Sequence, residues 1–269
     1  MNLNKKKVHD FWNKSSCGED LYLINESKNG YNQQSNSRYK LEGDLIFPFA
    51  EFDKYRGKKV LEIGVGLGSD HQKFAESGAN LFGIDLTEKA VNHAIKRFSL
   101  FDLRSNISIG DSDFLKFKDE EFDLVYSWGT LHHNPDTSRS VSEVYRVLKK
   151  GGQAKIMIYH KWSIVGYMLW VRYGLLRLKP LRTLDYIYSN FLESLGTKAY
   201  SRKQAKELFS SFKSIDIETP LTHADLLESN VGQRHRGLIL TFVKIVFPRL
   251  LIRLVMPSSG LYMLIKLRK

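Results

Sequence analysis

The sequence predicts an α/β fold in which parallel strands alternate with helices around one large core. Two observations support this: short apolar segments alternate with helical ones from Lys58 onward, and a glycine-rich turn follows the first apolar segment. Alternation of this kind implies right-handed crossovers and a parallel sheet. With 269 residues, of which 42% are hydrophobic, the chain is long enough to bury its core as a single domain.

The predicted elements follow one another closely between residues 58 and 160. Strands are expected at 59–63, 80–84, 106–110, 122–127 and 153–159, with helices at 69–77, 88–99 and about 137–149. Thr87 and Asp136 can cap the second and third helices, because their side-chain oxygens accept hydrogen bonds from free backbone N–H groups. A helix at 201–210 and strands at 212–218 and 261–267 continue the pattern toward the carboxyl terminus.

The segment before the first strand is expected to cover the sheet as a lid. A short helix is predicted at 3–14, a polar loop from Ser15 to Ser37, and a second helix within Arg38 to Phe52. Pro48 is expected to kink or end that second helix, because its ring removes a backbone N–H and clashes with the preceding turn.

The net charge of +12 is concentrated in two apolar stretches. Residues 161–198 carry a net charge of +4 and residues 230–269 carry +8, so the remainder of the chain is neutral overall. Each stretch holds an apolar run, at 164–176 and 237–247, that is too short and too interrupted by charge to span a bilayer. Such runs suit helices in a membrane interface, a cover over a substrate pocket, or a subunit contact.

The cysteine content and the amino-terminal sequence indicate the cellular compartment in which the protein is expected. The single cysteine, Cys17, excludes an internal disulfide and suits a reducing cytosol. The basic run at residues 5–7 is followed by a polar segment instead of an apolar one, so no signal peptide is evident. The expected location is cytoplasmic, with the two basic stretches allowing peripheral attachment at the inner face of the membrane.

The glycine-rich turn after the first strand is the strongest local signal. Gly64, Gly66 and Gly68 alternate directly after Ile63, and Glu62 precedes them. Glycine lets the backbone adopt positive φ and approach a ligand without a Cβ clash, which favours a nucleotide-type cofactor over a tight loop without a ligand. The third glycine lies one position earlier than in the dinucleotide fingerprint G-x-G-x-x-G.

The turn resembles the E-x-G-x-G-x-G motif of class I S-adenosylmethionine methyltransferases, of the bacterial small-molecule type. Residues 122–136 are similar to the fourth-strand motif of those enzymes, and residues 143–152 are similar to the helix and turn that follow it. Together these segments extend the resemblance over residues 58–160. It implies an α/β, Rossmann-like class I methyltransferase sheet with strand order 3-2-1-4-5-7-6, the last strand antiparallel, and helical insertions.

The resemblance also implies S-adenosylmethionine as the cofactor and assigns residues to it. The residues expected to contact the cofactor are Glu62, Gly64, Gly66, Gly68, Asp85, Leu86, Asp111, Ser112, Ser127 and Trp128. The turn would surround the methionine part, and Asp85 would bind the ribose hydroxyls. Asp111 and Ser112 would hold the adenine, whereas Ser127 and Trp128 would flank the sulfonium.

Structural alternatives exist for the acidic residues in this set. Asp85 could help to start the next helix through Leu86 and Thr87, and Asp111 with Ser112 could form a turn without a ligand. Their positions at the carboxyl edge of a parallel sheet favour the binding role, because ligands bind there in this class of fold.

A hydroxyl acceptor would require a base near the sulfonium, and four side chains are candidates. His132 and His133 follow the fourth strand, whereas Tyr159 and His160 end the fifth. His132 is the first choice, and packing or a hydrogen bond to the cofactor is the alternative for each. No metal is expected, because adjacent histidines lack the i, i+4 spacing of a helical metal-binding pair.

The sequence thus predicts one domain with a cofactor-binding core and two insertions. Its expected parts are an N-terminal lid at 1–52, an S-adenosylmethionine-binding core at 53–160, a basic apolar insertion at 161–198, core completion at 199–220, a basic apolar helical insertion at 221–260, and a terminal strand at 261–269.

The expected activity is methyl transfer to a small-molecule or lipid-linked acceptor, such as a sugar or an isoprenoid-type compound, with an anionic membrane surface as a second partner. The alternatives are a catalytically inactive S-adenosylmethionine-binding module and a nucleic-acid-binding protein. Nucleic acid is less favoured, because the basic residues interleave with aliphatic instead of stacking aromatic side chains. The sequence leaves the acceptor atom and the oligomeric state open.

Overall fold

A computed structural model describes residues 3–228 and 247–269, and a seven-stranded sheet forms its centre. In chain order the strands are β1 Lys59–Ile63, β2 Asn80–Asp85, β3 Asn106–Ile109, β4 Phe122–Trp128, β5 Leu148–Tyr159, β6 Ser214–Glu218 and β7 Tyr262–Arg268. They lie in the order β3-β2-β1-β4-β5-β7-β6, and β7 runs antiparallel to both β5 and β6. The predicted strand order and the antiparallel last strand are confirmed.

Helices connect and cover these strands. The described helices are α1 Leu3–Lys14, α2 Glu19–Tyr22, α3 Lys28–Ala50, α4 Ser69–Glu76, α5 Glu88–Leu100, α6 Thr137–Val147, α7 Ile164–Tyr173, α8 Leu184–Ile187, α9 Arg202–Leu208 and α10 Arg249–Val255. Thr87 and Asp136 cap α5 and α6 as predicted, since each side chain accepts a hydrogen bond from a first-turn N–H. Within the described ranges, none of the helices combines the length and the apolar character needed to cross a membrane.

The sheet carries an apolar core on both faces. Leu61 and Val125 point to one face and pack with residues of α6 and α9, whereas their neighbours Val60 and Leu124 point to the other face and pack with residues of α3 and α4. Successive side chains of a strand point to opposite faces, and parallel strands are usually covered on both. The carboxyl ends of the central strands are thereby held at one rigid edge.

The N-terminal segment differs from the sequence prediction. The loop predicted from Ser15 to Ser37 contains α2 and the first turns of α3, so the prediction of a continuous loop is wrong. Ser27 caps α3, and Tyr31 and Gln34 on its inner side are buried. The helix was missed because only these few side chains face inward, whereas most of its early residues are polar.

The two basic insertions are described to different extents. The first, predicted at 161–198, folds as α7, α8 and short helical turns beyond the end of β5. In the second, most of the predicted apolar run at 237–247 lies outside the described residues, and only Phe247 of that run is described.

Candidate active site

A cavity of about 1200 Å³ lies at the carboxyl edge of the sheet. The loops after β1, β2, β3 and β4 line it, together with residues of α1, α3 and α7. Pockets for a single small ligand typically measure about 300–1000 Å³. The cavity therefore has room for a cofactor and an acceptor side by side.

Most of the residues predicted to bind the cofactor line this cavity. They are Glu62, Gly64, Gly66, Gly68, Asp85, Leu86, Asp111, Ser112 and Trp128. Ser127 is placed differently, because its hydroxyl donates a hydrogen bond to the carbonyl oxygen of Ile63 at 3.0 Å and its side chain is fully buried. The side chain of Ser127 thus ties β4 to β1 behind the cavity wall.

Gly64 and Gly66 have different roles in the glycine turn. Gly64 has φ 84°, and a Cβ there would lie 2.0 Å from Oγ1 of Thr130, so the turn packs directly against the loop after β4. Gly66 has φ 51°, and no described atom lies within 4 Å of the position its Cβ would take. Gly64 therefore allows close packing, whereas Gly66 leaves open space at the cavity wall.

Arg97 stabilises the end of the glycine turn through a hydrogen bond to the backbone on the side away from the cavity. Its guanidinium is almost completely buried, and Nη1 donates to the carbonyl oxygen of Leu67 at 2.9 Å and to Oε1 of Gln34 at the same distance. A single buried cation thus connects α5, the turn and α3. Because the carbonyl of Leu67 is held in this way, the turn keeps its shape at the cavity wall.

Asp85 makes the hydrogen bonds expected of a residue that starts the next helix, and it also lines the cavity, where binding of the ribose remains a prediction. Its Oδ2 accepts from the N–H of Gly66 at 3.1 Å, and its Oδ1 accepts from the N–H and the hydroxyl of Thr87 at 3.0 and 2.9 Å. Burial raises the pKa of the Asp85 carboxyl, while these hydrogen bonds oppose the rise. The carboxyl group braces the glycine turn, supports the start of α5 and also lines the cavity.

The loop after β3 forms an acidic corner that α1 covers. Nζ of Lys5 donates to both oxygens of Asp111 at 2.8 Å and also binds Asp113. Nδ2 of Asn134 donates to Oγ of Ser112 at 2.9 Å, which links this corner to the loop after β4. Asp111 and Ser112 are therefore positioned side by side at the cavity wall.

Glu62 and His71 form a buried hydrogen-bonded pair beneath the turn. Nδ1 of His71 lies 2.9 Å from Oε2 of Glu62, Nε2 lies 2.8 Å from Oγ of Ser105, and that hydroxyl donates to the carbonyl oxygen of Leu81. Burial raises the pKa of Glu62 well above its usual value and lowers that of His71 to about 3. The chain of hydrogen bonds therefore runs from Glu62 through His71, whose lowered pKa favours the neutral ring, to Ser105.

Arg38, which is partly exposed, and the buried Asp70 form a second ion pair, and no sequence motif marks it. Nη2 of Arg38 donates to Oδ2 of Asp70 at 2.8 Å, and the hydroxyls of Tyr39 and Tyr126 each donate to Asp70 at 2.9 Å. Both members of the pair line the cavity. No sequence spacing links α3 to α4, so this contact could be found only from the fold.

The four candidate catalytic side chains separate into two groups. His133 and Tyr159 line the cavity, whereas His132 and His160 are not among its described lining residues. The ring of His132 is fully buried between those of His133 and Tyr159, with centroids 4.2 and 4.0 Å away. Nδ1 of His160 lies 3.2 Å from the carbonyl oxygen of Gly260, and burial lowers the pKa of both His132 and His160.

Glu193 joins His133 and Tyr159 at the cavity wall. Its Oε2 accepts a hydrogen bond from the Tyr159 hydroxyl at 2.8 Å and lies 3.3 Å from Nε2 of His133. On the other side of the same ring, Nδ1 lies 3.0 Å from the Ser194 hydroxyl and 3.1 Å from the Thr197 hydroxyl. Glu193 belongs to the first basic insertion, where no motif marked it, so the sequence analysis missed it.

A further part of the cavity wall is apolar and comes mainly from the insertions. Its residues are Ile164, Val165, Met168, Leu169, Val171, Leu176, Leu192, Leu227, Phe247, Ile252, Met256 and Leu261. The cavity thus joins a polar end at the glycine turn to an apolar wall that α7 and α10 help to form.

Comparison with known proteins gives matches centred on the core. A methyltransferase-domain family model matches residues 61–156. Phosphoethanolamine N-methyltransferase 2 of Caenorhabditis elegans is 34% identical over 157 residues, covering 56% of this chain and 35% of that protein. Ubiquinone biosynthesis O-methyltransferase of Aromatoleum aromaticum is 30% identical over 156 residues, covering 56% and 64%. The chain thus spans less than two thirds of the length of either relative.

A solved structure supports the same fold over most of the chain. Phosphoethanolamine N-methyltransferase 2 of Haemonchus contortus, in complex with phosphomonomethylethanolamine and S-adenosylhomocysteine, matches with a TM-score of 0.60 and 18% identity, covering 97% of this chain and 60% of that one. Residues 61–156 match the methyltransferase-domain family, and the order of the seven strands agrees with the fold of class I, S-adenosylmethionine-dependent methyltransferases.

Proposed function

We propose that this protein transfers a methyl group from S-adenosylmethionine to a small-molecule acceptor that has an apolar portion. The observation that carries the proposal is the composition of the cavity wall. One continuous cavity combines the glycine turn and Asp85 with the apolar residues of α7. Its volume of about 1200 Å³ exceeds what a single small ligand usually occupies.

The residues around the glycine turn fit the cofactor. The open space at Gly66 admits a ligand next to the backbone, and Asp85 offers carboxylate oxygens for ribose hydroxyls. Asp111 can accept a hydrogen bond from the adenine amine, with Leu86 contacting the ring. Trp128 lies at the end of β4, where the sulfonium would come close. When bound, S-adenosylmethionine supplies an electrophilic methyl group on this sulfonium.

The acceptor would lie between the sulfonium and the group formed by His133, Tyr159 and Glu193. For a hydroxyl acceptor, His133 and Glu193 are the groups at the cavity wall that can receive its proton. His132, which packs against His133 and Tyr159 behind the wall, would position this group, whereas His160 would pack against Gly260 at the end of β5. Alignment of the acceptor and exclusion of water would provide most of the rate acceleration, because methyl transfer requires an in-line approach.

The relatives support an acceptor that is small or partly apolar. One relative is named for phosphoethanolamine and another for ubiquinone biosynthesis. The apolar wall of this cavity, supplied largely by segments outside the matched core, favours an acceptor with a hydrocarbon part over a wholly polar one. A lipid-linked or isoprenoid-type compound meets this requirement.

A membrane surface would give access to such an acceptor, and the turn after α7 supports contact with one. Leu176, Leu178 and Leu181 are 70%, 91% and 95% exposed, and they alternate with Arg177 and Lys179. Apolar side chains interleaved with basic ones can insert at an interface while the cations contact anionic headgroups. This turn supports peripheral attachment at the inner face of the membrane as part of the proposal.

Calorimetric titration of the purified chain with S-adenosylmethionine and S-adenosylhomocysteine tests the first step of this proposal. We expect one site per chain for each ligand, with ATP as a control nucleotide that does not compete. Absence of binding by both sulfur-containing ligands at millimolar concentration would contradict the proposal. Binding without any methyl transfer would support the alternative of a catalytically inactive module.

A further inference from the structure

We infer that His132, His133 and Glu193 form a zinc site at the acceptor side of the cavity. One nitrogen from each histidine and one carboxylate oxygen all lie within 4.8 Å of one another. Nε2 of His133 and Oε2 of Glu193 are 3.3 Å apart. Two ligands bound tetrahedrally at about 2.1 Å from zinc lie about 3.4 Å apart, so this pair already has the required separation.

The environment of His132 provides independent support. Its ring is fully buried, and neither Nδ1 nor Nε2 has a hydrogen-bond partner among the residues that the structure describes. Buried polar atoms are nearly always paired, and leaving one unpaired costs about 1–3 kcal/mol. A metal ion bound by one of these nitrogens would account for the burial of an otherwise unpaired imidazole.

The surrounding hydrogen bonds are those that a metal site uses to orient its ligands. A metal-binding histidine usually donates its second N–H to a nearby oxygen, and a ligating carboxylate is itself hydrogen-bonded. Nδ1 of His133 has the hydroxyls of Ser194 and Thr197 at 3.0 and 3.1 Å, which leaves Nε2 directed at Glu193. Glu193 in turn accepts from the hydroxyl of Tyr159. These hydrogen bonds orient two of the three proposed ligands, His133 and Glu193.

The donor set indicates the class of metal. Two imidazoles and one carboxylate are a ligand set of catalytic zinc sites, which retain an open position for water or substrate. Magnesium and calcium prefer an all-oxygen environment, so they are less suited to this group. His133 and Glu193 line the cavity, so the open position would be accessible from it. The sequence predicts no metal, since adjacent histidines lack the i, i+4 spacing of a helical pair. The proposed third ligand, Glu193, comes from a distant insertion that a spacing rule does not include.

The use of this zinc in catalysis rests on the proposed function, whereas the site itself rests on geometry. The hydroxyl oxygen of the acceptor would occupy the open position, and its O–H bond would break with the proton passing to water, because His133 and Glu193 would be bound to zinc and would no longer act as the base. The new C–O bond forms as the C–S bond of the sulfonium breaks, which leaves S-adenosylhomocysteine and the methylated acceptor. Zinc would lower the pKa of the hydroxyl, as it does for bound water.

Zinc binding by the full-length, tag-free chain tests the inference without reference to activity. After dialysis against zinc buffered at micromolar free concentration, we expect one zinc per wild-type chain by elemental analysis. Glu193→Gln should bind zinc at least tenfold more weakly, because it removes the only anionic ligand while keeping the side-chain shape. Glu207→Gln, an exposed substitution in α9, is the matched control and should bind as the wild type does.

Cobalt substitution adds a readout that reports the ligands directly. Visible absorption of the cobalt-loaded wild type should be lost or shifted in Glu193→Gln and in His133→Gln, with circular dichroism to check that each variant is folded. Failure of the wild type to retain zinc, or equal zinc affinity in wild type and Glu193→Gln, would overturn the inference. Calorimetry with S-adenosylmethionine on the same samples distinguishes that result from failure of the proposed function, which predicts cofactor binding with or without zinc.

Discussion

Lys5 of α1 and Asp111 after β3 form an ion pair in which Nζ lies 2.8 Å from Oδ2, although 106 residues separate them in the sequence. Lys5 is nearly buried by this contact, and it also binds Asp113. The pair holds α1 over the part of the cavity where adenine is proposed to bind. Cofactor exchange should therefore depend on the stability of this contact.

The variant Lys5→Met tests the role of this ion pair. It keeps a long apolar stem but removes the charge, so α1 should be held less firmly and the dissociation rate of S-adenosylmethionine should rise about tenfold, the effect of roughly 1.4 kcal/mol. Stopped-flow displacement measures this rate. The control is Lys7→Met, an exposed change in the same helix. Equal rates in both variants and the wild type would contradict the role given to Lys5.

Asp85→Asn tests the proposed ribose contact. The amide keeps the shape but removes the charge that strengthens hydrogen bonds, and charged hydrogen bonds contribute about 1.5–3 kcal/mol. We expect the affinity for S-adenosylmethionine to fall by roughly 10-fold to 100-fold in calorimetry. The control Asp102→Asn alters an exposed residue after α5 and should bind normally. An affinity of Asp85→Asn within twofold of wild type would exclude the ribose role.

The buried His71 predicts a specific dependence of stability on pH. Its pKa is lowered from 6.5 to about 3 in the folded protein, because burial disfavours the charged ring. Between these values the unfolded chain binds a proton that the native protein does not, so unfolding becomes easier as the pH falls from 6.5 toward 3. For one proton, the free energy of unfolding falls by up to about 1.4 kcal/mol for each unit by which the pH is lowered.

Comparison with His71→Gln tests this contribution. Glu62 has the opposite tendency, because its raised pKa reduces stability as the pH rises above its ordinary value of 4.5. The measured quantity is therefore the difference in the free energy of unfolding between wild type and variant from urea titrations at several pH values. This difference should increase with pH between about 3 and 6.5. A constant difference over that range would contradict the assignment of a neutral His71.

Charge reversal in the turn after α7 tests the membrane contact. Replacing Arg177 and Lys179 with Glu should release the protein from anionic liposomes, since each cation near the surface contributes about 1 kcal/mol. Sedimentation with phosphatidylserine vesicles at low salt provides the measurement. The control replaces Lys203 and Lys206 of α9, which are also exposed. If the wild type does not sediment with such vesicles, the exposed leucines have another role.

The strands of the sheet could be predicted because the sequence signals for each strand lie within a few neighbouring residues. Buried parallel strands such as β1 and β4 are marked by apolar runs, and the glycine turn after Ile63 is marked by residue type and spacing. These signals lie within a few residues of one another. Strand order, however, followed from the resemblance to a known family and not from the periodicity.

The site contacts that were missed all join distant segments. Arg38 meets Asp70 only when α3 packs beside α4, and Glu193 reaches His133 only when the insertion folds back over the edge of the sheet. No spacing rule connects such pairs. The sequence also favoured His132 over His133 as the base, whereas it is His133 that lines the cavity. The direction of adjacent side chains in a short helical turn depends on what packs around them, and the sequence does not give this.

Transfer of labelled methyl groups tests whether this protein methylates a small, partly apolar acceptor. The wild-type chain would be incubated with S-adenosylmethionine labelled in the methyl group, a total lipid and metabolite extract, and anionic vesicles, and the label would be followed by chromatography. We expect label in a small, apolar or lipid-linked product, and little in a parallel reaction with Asp85→Asn. No label above that variant's background, or label only in nucleic acid, would contradict this expectation.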